Sequence, residues 1–147
     1  YRPLNNFFLN PFMEYLRKKY ICQNQIKKGL AGVKDSINYI KNNFSIALMI
    51  DQRVSEGKRL PFFQHMALTT TLPAQMALKF NLDIVPIYIE RKINDNFEMK
   101  IYEPIKLLHN TDIETNKLNI SIKLNKIIEE MISRDPGQWI WTHNRWK

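Results

Sequence analysis

Two hydrophobic periods alternate along the chain. Phe8, Phe12, Tyr15 and Leu16 fall on one side of a 3.6-residue repeat, and Asn10-Pro11 supplies a helix start, so a helix is predicted to about residue 19. Leu30, Val33, Ile37 and Ile40 hold the same period and predict a second helix over residues 30–42, stopped by Asn42-Asn43. Residues 45–50 are apolar on every side and read as a short strand buried on both faces, as in a parallel sheet. The run ends abruptly at Asp51-Gln52. A polar loop over residues 53–59 leads into the apolar Leu60-Pro61-Phe62-Phe63.

Leu72, Met76 and Phe80 align on a helix predicted over residues 69–80. Residues 84–90 and 97–102 alternate as strands about the polar turn Asn94-Asp95-Asn96, a hairpin signal. Ile113, Ile120, Leu124, Ile127, Ile128, Met131 and Ile132 then mark a long amphipathic helix over residues 112–134. Helices alternating with apolar strands predict one α/β layered domain over residues 1–147: a mixed, largely parallel sheet flanked by helices, with one antiparallel hairpin.

Charge and cysteine usage narrow the partners. A net charge of +8 and a pI near 9.6 favour something acidic: nucleic acid, anionic lipid or an acidic protein. The single cysteine, Cys22, excludes an internal disulfide and fits a reducing compartment. Apolar runs fall far short of the roughly 20 residues that span a bilayer, so any membrane association of these residues is expected to be peripheral. The chain opens on Tyr1 rather than Met, as a piece of a longer protein would.

Candidate chemistry collects at two places. Asp51-Gln52 lies at the carboxyl end of the predicted buried strand, where ligands gather in open α/β sheets. A carboxylate there is costly unless it is hydrogen-bonded or used. At the other end, residues 136–147 carry all three tryptophans of the chain. Each indole brings a large apolar surface and one donor that needs a partner when buried. Asp135 as cap and Pro136 at the first position predict a short helix, with Trp139, His143 and Trp146 on one face. Trp141 and Arg145 would share another face, open to a ligand or membrane. Lys27-Lys28 and Lys58-Arg59 are basic clusters suited to lipid phosphates or an acidic carrier protein. His65 and His143 have no Cys, His or carboxylate neighbour at metal-ligand spacing.

The string Pro136-x-Gln138-Trp139-x-Trp141-x-His143-x-Arg145-Trp146 resembles the closing signature of the bacterial lipid A biosynthesis (late, lauroyl/myristoyl) acyltransferases. Other segments agree with it in order. Tyr1-Arg2-Pro3 with Asn5-Asn6 is similar to that family's YRPxxN segment, and Asp51-Gln52, Gly57 and Pro61-Phe62-Phe63 are similar to its DQ…G…PFFG block. The Thr69-Thr70-Thr71 helix and the Ile84-Val85-Pro86 strand match as well. The family glycine after the two phenylalanines is Gln64 here, at a position where φ > 0 costs a side-chain-bearing residue.

The resemblance implies a glycerolipid acyltransferase-like fold, incomplete at its N-terminus. It implies transfer of a fatty acyl chain from acyl-acyl carrier protein to a hydroxyl-bearing chain of a Kdo-bearing lipid A precursor, a step of Gram-negative lipopolysaccharide biosynthesis. The place would be the cytoplasmic face of the cell inner membrane, with a membrane surface as partner, without metal or redox cofactor, and with the anchor in the missing N-terminal part. Arg2, Asp51 and Gln52 are then the expected substrate-binding residues. Arg2 offers a planar fork of donors to a phosphate or carboxylate.

The family's catalytic H-x4-D/E dyad is expected upstream of Tyr1, leaving no catalytic residue here and these residues alone inactive. His109 and Glu114 reproduce that spacing, but Thr111-x-x-Glu114 is also a capping box that opens the long helix, and a helix start is the reading adopted. Two alternatives follow other classes. One is a basic nucleic-acid-binding module, whose aromatics would stack bases. No nucleic-acid motif appears and the aromatics fall mostly on predicted core faces, so no nucleic-acid partner is expected. The other is a related acyltransferase with a different lipid acceptor, such as a mannosylated or ornithine lipid.

Overall fold

A computed structural model describes residues 1–107 and 112–147. They fall into two compact units, Tyr1–Ala47 and Leu48–Lys147, each described by itself.

The first unit is built on α1 (Leu9–Tyr20) and α2 (Leu30–Lys41). Asn6 starts α1: its side-chain oxygen accepts from the N–H groups of Phe8 and Leu9, which would otherwise be orphaned at the helix N-terminus. Asn10 then reaches back to accept from the Leu4 N–H. The Tyr1 nitrogen donates to the Ile26 carbonyl and the Tyr1 carbonyl accepts from Lys28. The YRP strap is thus tied at both ends, with the Arg17 guanidinium 4.9 Å over the Tyr1 ring. Glu14 accepts from Asn10 and pairs with Lys27 at 3.2 Å. Its carboxyl is held below the ordinary range by the Asn10 amide first, then by Tyr1 and Lys27. In α2 the buried residues are Gly32, Ser36 and Ile40; a Cβ on Gly32 would stand 1.9 Å from the Lys27 carbonyl oxygen. Leu30, expected on the packed stripe, is exposed.

The second unit is organised by α4 (Ile113–Arg134). Its Ile120, Leu124, Ile128 and Ile132 are buried at the i, i+4 spacing of one face, each burial contributing roughly 1.5–3 kcal/mol. Asp112 caps it, accepting from the N–H groups of Glu114 and Thr115 and from the Thr115 hydroxyl. The cap is therefore Asp112, one residue after the expected Thr111. Thr111 and His109 lie outside the described residues, and Glu114 is engaged by Lys117 Nζ at 2.6 Å.

Two antiparallel hairpins and α3 (Leu72–Phe80) complete the unit, with α3 and the first hairpin packed against α4. The first is β1 (Lys58–Phe62) with β2 (His65–Thr69), in the register Phe62↔His65 and Leu60↔Ala67. Its strands were not expected: the sequence reads as a polar loop, then a proline-containing apolar run. The two-residue turn has Phe63 at φ 46° and Gln64 at φ 62°, both left-handed, as a type I′ connection requires. Gln64 thus takes the left-handed conformation that favours glycine. Gly57 touches the end of β2 so closely that a Cβ would meet the Thr69 backbone at 2.7 and 2.8 Å.

The second hairpin is β3 (Ile87–Arg91) with β4 (Phe97–Ile101), turning through a 3₁₀ turn at Ile93–Asp95 where Asn94 and Asp95 adopt positive φ. The strand expected from residue 84 starts late, because Pro86 has no N–H for the ladder. The pairing still continues irregularly, through Tyr102 N–H to Pro86 and Ile105 N–H to Ile84.

The largely parallel sheet is not found among the described residues. The strands form two separate antiparallel pairs. Residues 45–50 are assigned no strand, and Leu48 and Met49 are exposed. A run apolar on all sides forms a central strand only with neighbours to satisfy its N–H and C=O groups on both edges. No described strand pairs with it. Its last residue, Ile50, instead packs against both apolar clusters of this unit, one around Phe62, Ala67, Ile128 and Ile132, the other around Ala74, Ile105, Ile120 and Leu124.

Candidate functional site

Ile50, wedged between the two clusters, delivers Asp51 to their edge. Asp51 is half-buried, and its Oδ2 accepts a hydrogen bond from the Trp139 indole at 3.3 Å. Gln52, next to it, is exposed. Asp51 therefore stands in a loop held by side-chain contacts, not at the carboxyl end of a paired strand.

The Trp-rich segment explains the hold. Asp135 caps the 3₁₀ turn Pro136–Gln138 by accepting from Gly137, as expected, but helix does not continue: Trp139 is extended, with φ −91° and ψ 143°. Tertiary contacts outweigh local propensity here. Trp146 donates to the Phe62 carbonyl at 3.2 Å and Trp141 to the Pro136 carbonyl at 2.8 Å, so with Trp139 on Asp51 all three indole N–H groups are paired. The rings of Phe62, Phe63, Trp139, Trp141 and Trp146 contact one another at centroid distances from 4.6 to 6.4 Å, mostly edge-on. Gln138 accepts from the Arg91 N–H and donates to the Arg91 carbonyl, extending the edge of β3 as another strand residue would.

Arg145, expected to present its guanidinium outward beside Trp141, is completely buried. The guanidinium carbon lies 4.0 Å from the Phe62 ring centroid. One terminal nitrogen donates to Asn125 Oδ1 at 2.9 Å and to Thr69 Oγ1 at 3.2 Å. Its carbonyl accepts from the Leu68 N–H, tying the C-terminal segment to β2. Asn125 completes the cluster by donating to Thr69 Oγ1 and the Pro61 carbonyl. Nε and the other terminal nitrogen have no hydrogen-bond partner among the described residues. Burial pushes the guanidinium below its ordinary pKa, and the nearby Asp51 and Glu129 carboxylates act the other way.

Thr69 and Asn125 were not singled out from sequence. The signal for Asn125 was present: Ser121 and Asn125 interrupt the buried arc of α4 that Ile120, Leu124, Ile128 and Ile132 define. Arg2, in the first unit, is exposed on its tethered strap. Lys27 is engaged by Glu14 and Lys58 lies in β1, paired with Thr69. His65 and His143 are exposed. Two open clefts, of about 370 and 310 Å³, lie elsewhere in the second unit, and the linings of neither include Asp51 or Gln52.

The second unit is a mixed α/β domain whose loop carboxylate is held by an aromatic C-terminal clasp. The chain belongs to the bacterial lipid A biosynthesis acyltransferase family, whose model matches residues 2–147. Membership brings an acyltransferase-type function, with an acyl donor and a lipid acceptor in general terms. No curated protein sequence matches the chain.

Proposed function

We propose that this protein transfers a fatty acyl chain from acyl-acyl carrier protein to a hydroxyl of a Kdo-bearing lipid A precursor, in lipopolysaccharide biosynthesis at the cytoplasmic face of the Gram-negative inner membrane. The observation that carries this reading is the family match, which spans the YRP, DQ-PFF and Trp-rich segments alike. In the step, the acceptor oxygen attacks the thioester carbonyl, an ester forms, and the carrier thiol leaves. The hydroxyl proton passes to a base. We assign that base to an H-x4-D/E dyad N-terminal to Tyr1, because Glu114 is committed to Lys117 at the start of α4.

Arg2 is proposed to bind a phosphate or carboxylate of a substrate through its guanidinium fork. Asp51, oriented by Trp139, is proposed to position polar groups of the substrate together with Gln52.

The test is mass spectrometry of the lipid A precursor after incubation with acyl-acyl carrier protein and the protein carrying its N-terminal segment. The expected product is heavier by one acyl chain, and Asp51→Asn lowers the rate about tenfold or more, as the loss of a charge-assisted contact does. Transfer to another lipid, with none to the precursor, would overturn the acceptor assignment. Full activity in Asp51→Asn would remove Asp51 from the site.

A further inference from the structure

We propose that α1 is an interfacial helix that lies on an anionic lipid bilayer. No residue of α1 is buried. Its inner side is formed by Asn10, Met13, Glu14, Leu16 and Arg17, all half-buried. The opposite side carries Phe8, Phe12 and Tyr15, spaced four and three residues apart and therefore in one stripe. These rings are 89%, 56% and 56% exposed, and Phe7, Tyr20 and Ile21 beside them are also exposed. Contiguous apolar surface of this kind marks a contact with something.

The charge pattern says what covers it. Residues 1–28 hold six basic residues (Arg2, Arg17, Lys18, Lys19, Lys27 and Lys28) against one acidic residue, Glu14, which Lys27 already engages. Lys18 and Lys19 continue the aromatic side itself, and Lys19 Nζ lies 5.6 Å over Tyr15 and 5.1 Å over Tyr20. An amphipathic helix with a basic, aromatic flank settles at the headgroup boundary, apolar rings downward and ammonium groups among anionic headgroups.

The β3–β4 hairpin provides the contrast. Its Ile87, Ile89, Met99 and Ile101 are also exposed on one face, but Glu90, Glu98, Lys92 and Lys100 lie on the opposite face and neutralise one another there, so no net charge selects a partner. On α1 the wholly apolar Phe7, Phe8 and Phe12 favour hydrocarbon over the stacked bases of a nucleic acid. The inference concerns the bilayer and not the acyl acceptor, so it stands or falls separately from the acyl-transfer reading.

The experiment is co-sedimentation of the 147-residue chain with phosphatidylcholine vesicles, with and without phosphatidylglycerol. Binding is expected to the anionic vesicles, weaker to pure phosphatidylcholine, and reduced by salt. The pair Phe8→Glu/Phe12→Glu should weaken it about a hundredfold or more, and Lys18→Gln/Lys19→Gln about tenfold or more. Phe8→Ser, with helicity checked by circular dichroism, covers the case in which two glutamates unfold the unit.

Wild-type binding that ignores phosphatidylglycerol would overturn the proposal, as would unchanged vesicle binding in a folded Phe8 variant. So would a single-stranded oligonucleotide or a second copy of the chain (by light scattering) that depends on Phe8 and Phe12 while vesicle binding does not.

Discussion

Trp139 donates its indole N–H to Asp51, 88 residues earlier, and this bond joins the closing signature of the chain to its DQ segment. Trp139→Phe keeps the ring in the aromatic cluster and removes only the donor. The expected loss is about 1 kcal/mol of stability. If Asp51 acts as proposed, the variant also lowers kcat with little change in KM. Urea unfolding and steady-state kinetics separate the two effects, and an unaltered urea midpoint would show that the bond contributes nothing to stability.

Arg145 is a buried cation held by Asn125, Thr69 and the Phe62 ring. Arg145→Met fills much of the volume but loses both hydrogen bonds and the cation–aromatic contact, leaving Asn125 Oδ1 without its donor. The expected cost is about 2–4 kcal/mol. Arg145→Lys should recover little, since an ammonium cannot span the same acceptors while covering the ring. Denaturant titration of both variants checks the order; a methionine variant as stable as the parent contradicts it.

Gln64 holds φ 62° in the β1–β2 turn. Gln64→Gly restores the residue that this conformation favours and should raise stability by about 1 kcal/mol, against the entropy that glycine adds to the unfolded chain. A shift of the thermal midpoint to higher temperature is the readout.

Gly57→Ala places a methyl group at 2.7–2.8 Å from the backbone of Thr69. Backbone cannot step aside as a flexible side chain does, so a loss of about 1–3 kcal/mol is expected. Thr69 also hydrogen-bonds Asn125 and Arg145, so the damage should spread to the clasp. Increased quenching of tryptophan fluorescence by iodide would report it.

The Asp112 carboxyl is held below its ordinary value, by the Thr115 hydroxyl first and then by the Thr115 and Glu114 N–H groups. A lowered folded-state pKa means the cap's contribution is complete above the unfolded value, about 3.9, and is lost as pH falls through the folded one. Asp112→Asn remains a good cap without a titrating group. Its urea midpoint should therefore decline less than the wild type's as pH drops through that window; parallel curves would contradict the assignment.

The elements set by local periodicity were legible. Helices expected over residues 10–19, 30–42, 69–80 and 112–134 appear as Leu9–Tyr20, Leu30–Lys41, Leu72–Phe80 and Ile113–Arg134. The hairpin about Asn94 was legible because asparagine and aspartate tolerate the left-handed backbone its turn needs. The β1–β2 hairpin was not. Pro61 argues against a strand and Phe63-Gln64 is a poor type I′ sequence, so the signal was absent locally. From distant sequence, the Trp139 and Trp146 rings pack on Phe62, and Trp146 and Asn125 donate to the Phe62 and Pro61 carbonyls, which compensates for both.

For this protein, the order of residues by itself determined the helices, the positions of their apolar faces and the family to which the chain belongs, because each follows from short-range spacing or a motif string. Tertiary structure decided what those residues do. It placed Arg145 in the core instead of on the surface, turned the Trp-rich segment from a helix into a clasp on Asp51, and left residues 45–50 without strand partners. The reason is physical: which donor meets which acceptor, and which strand edge finds a neighbour, depends on groups up to 88 residues apart that no local period encodes.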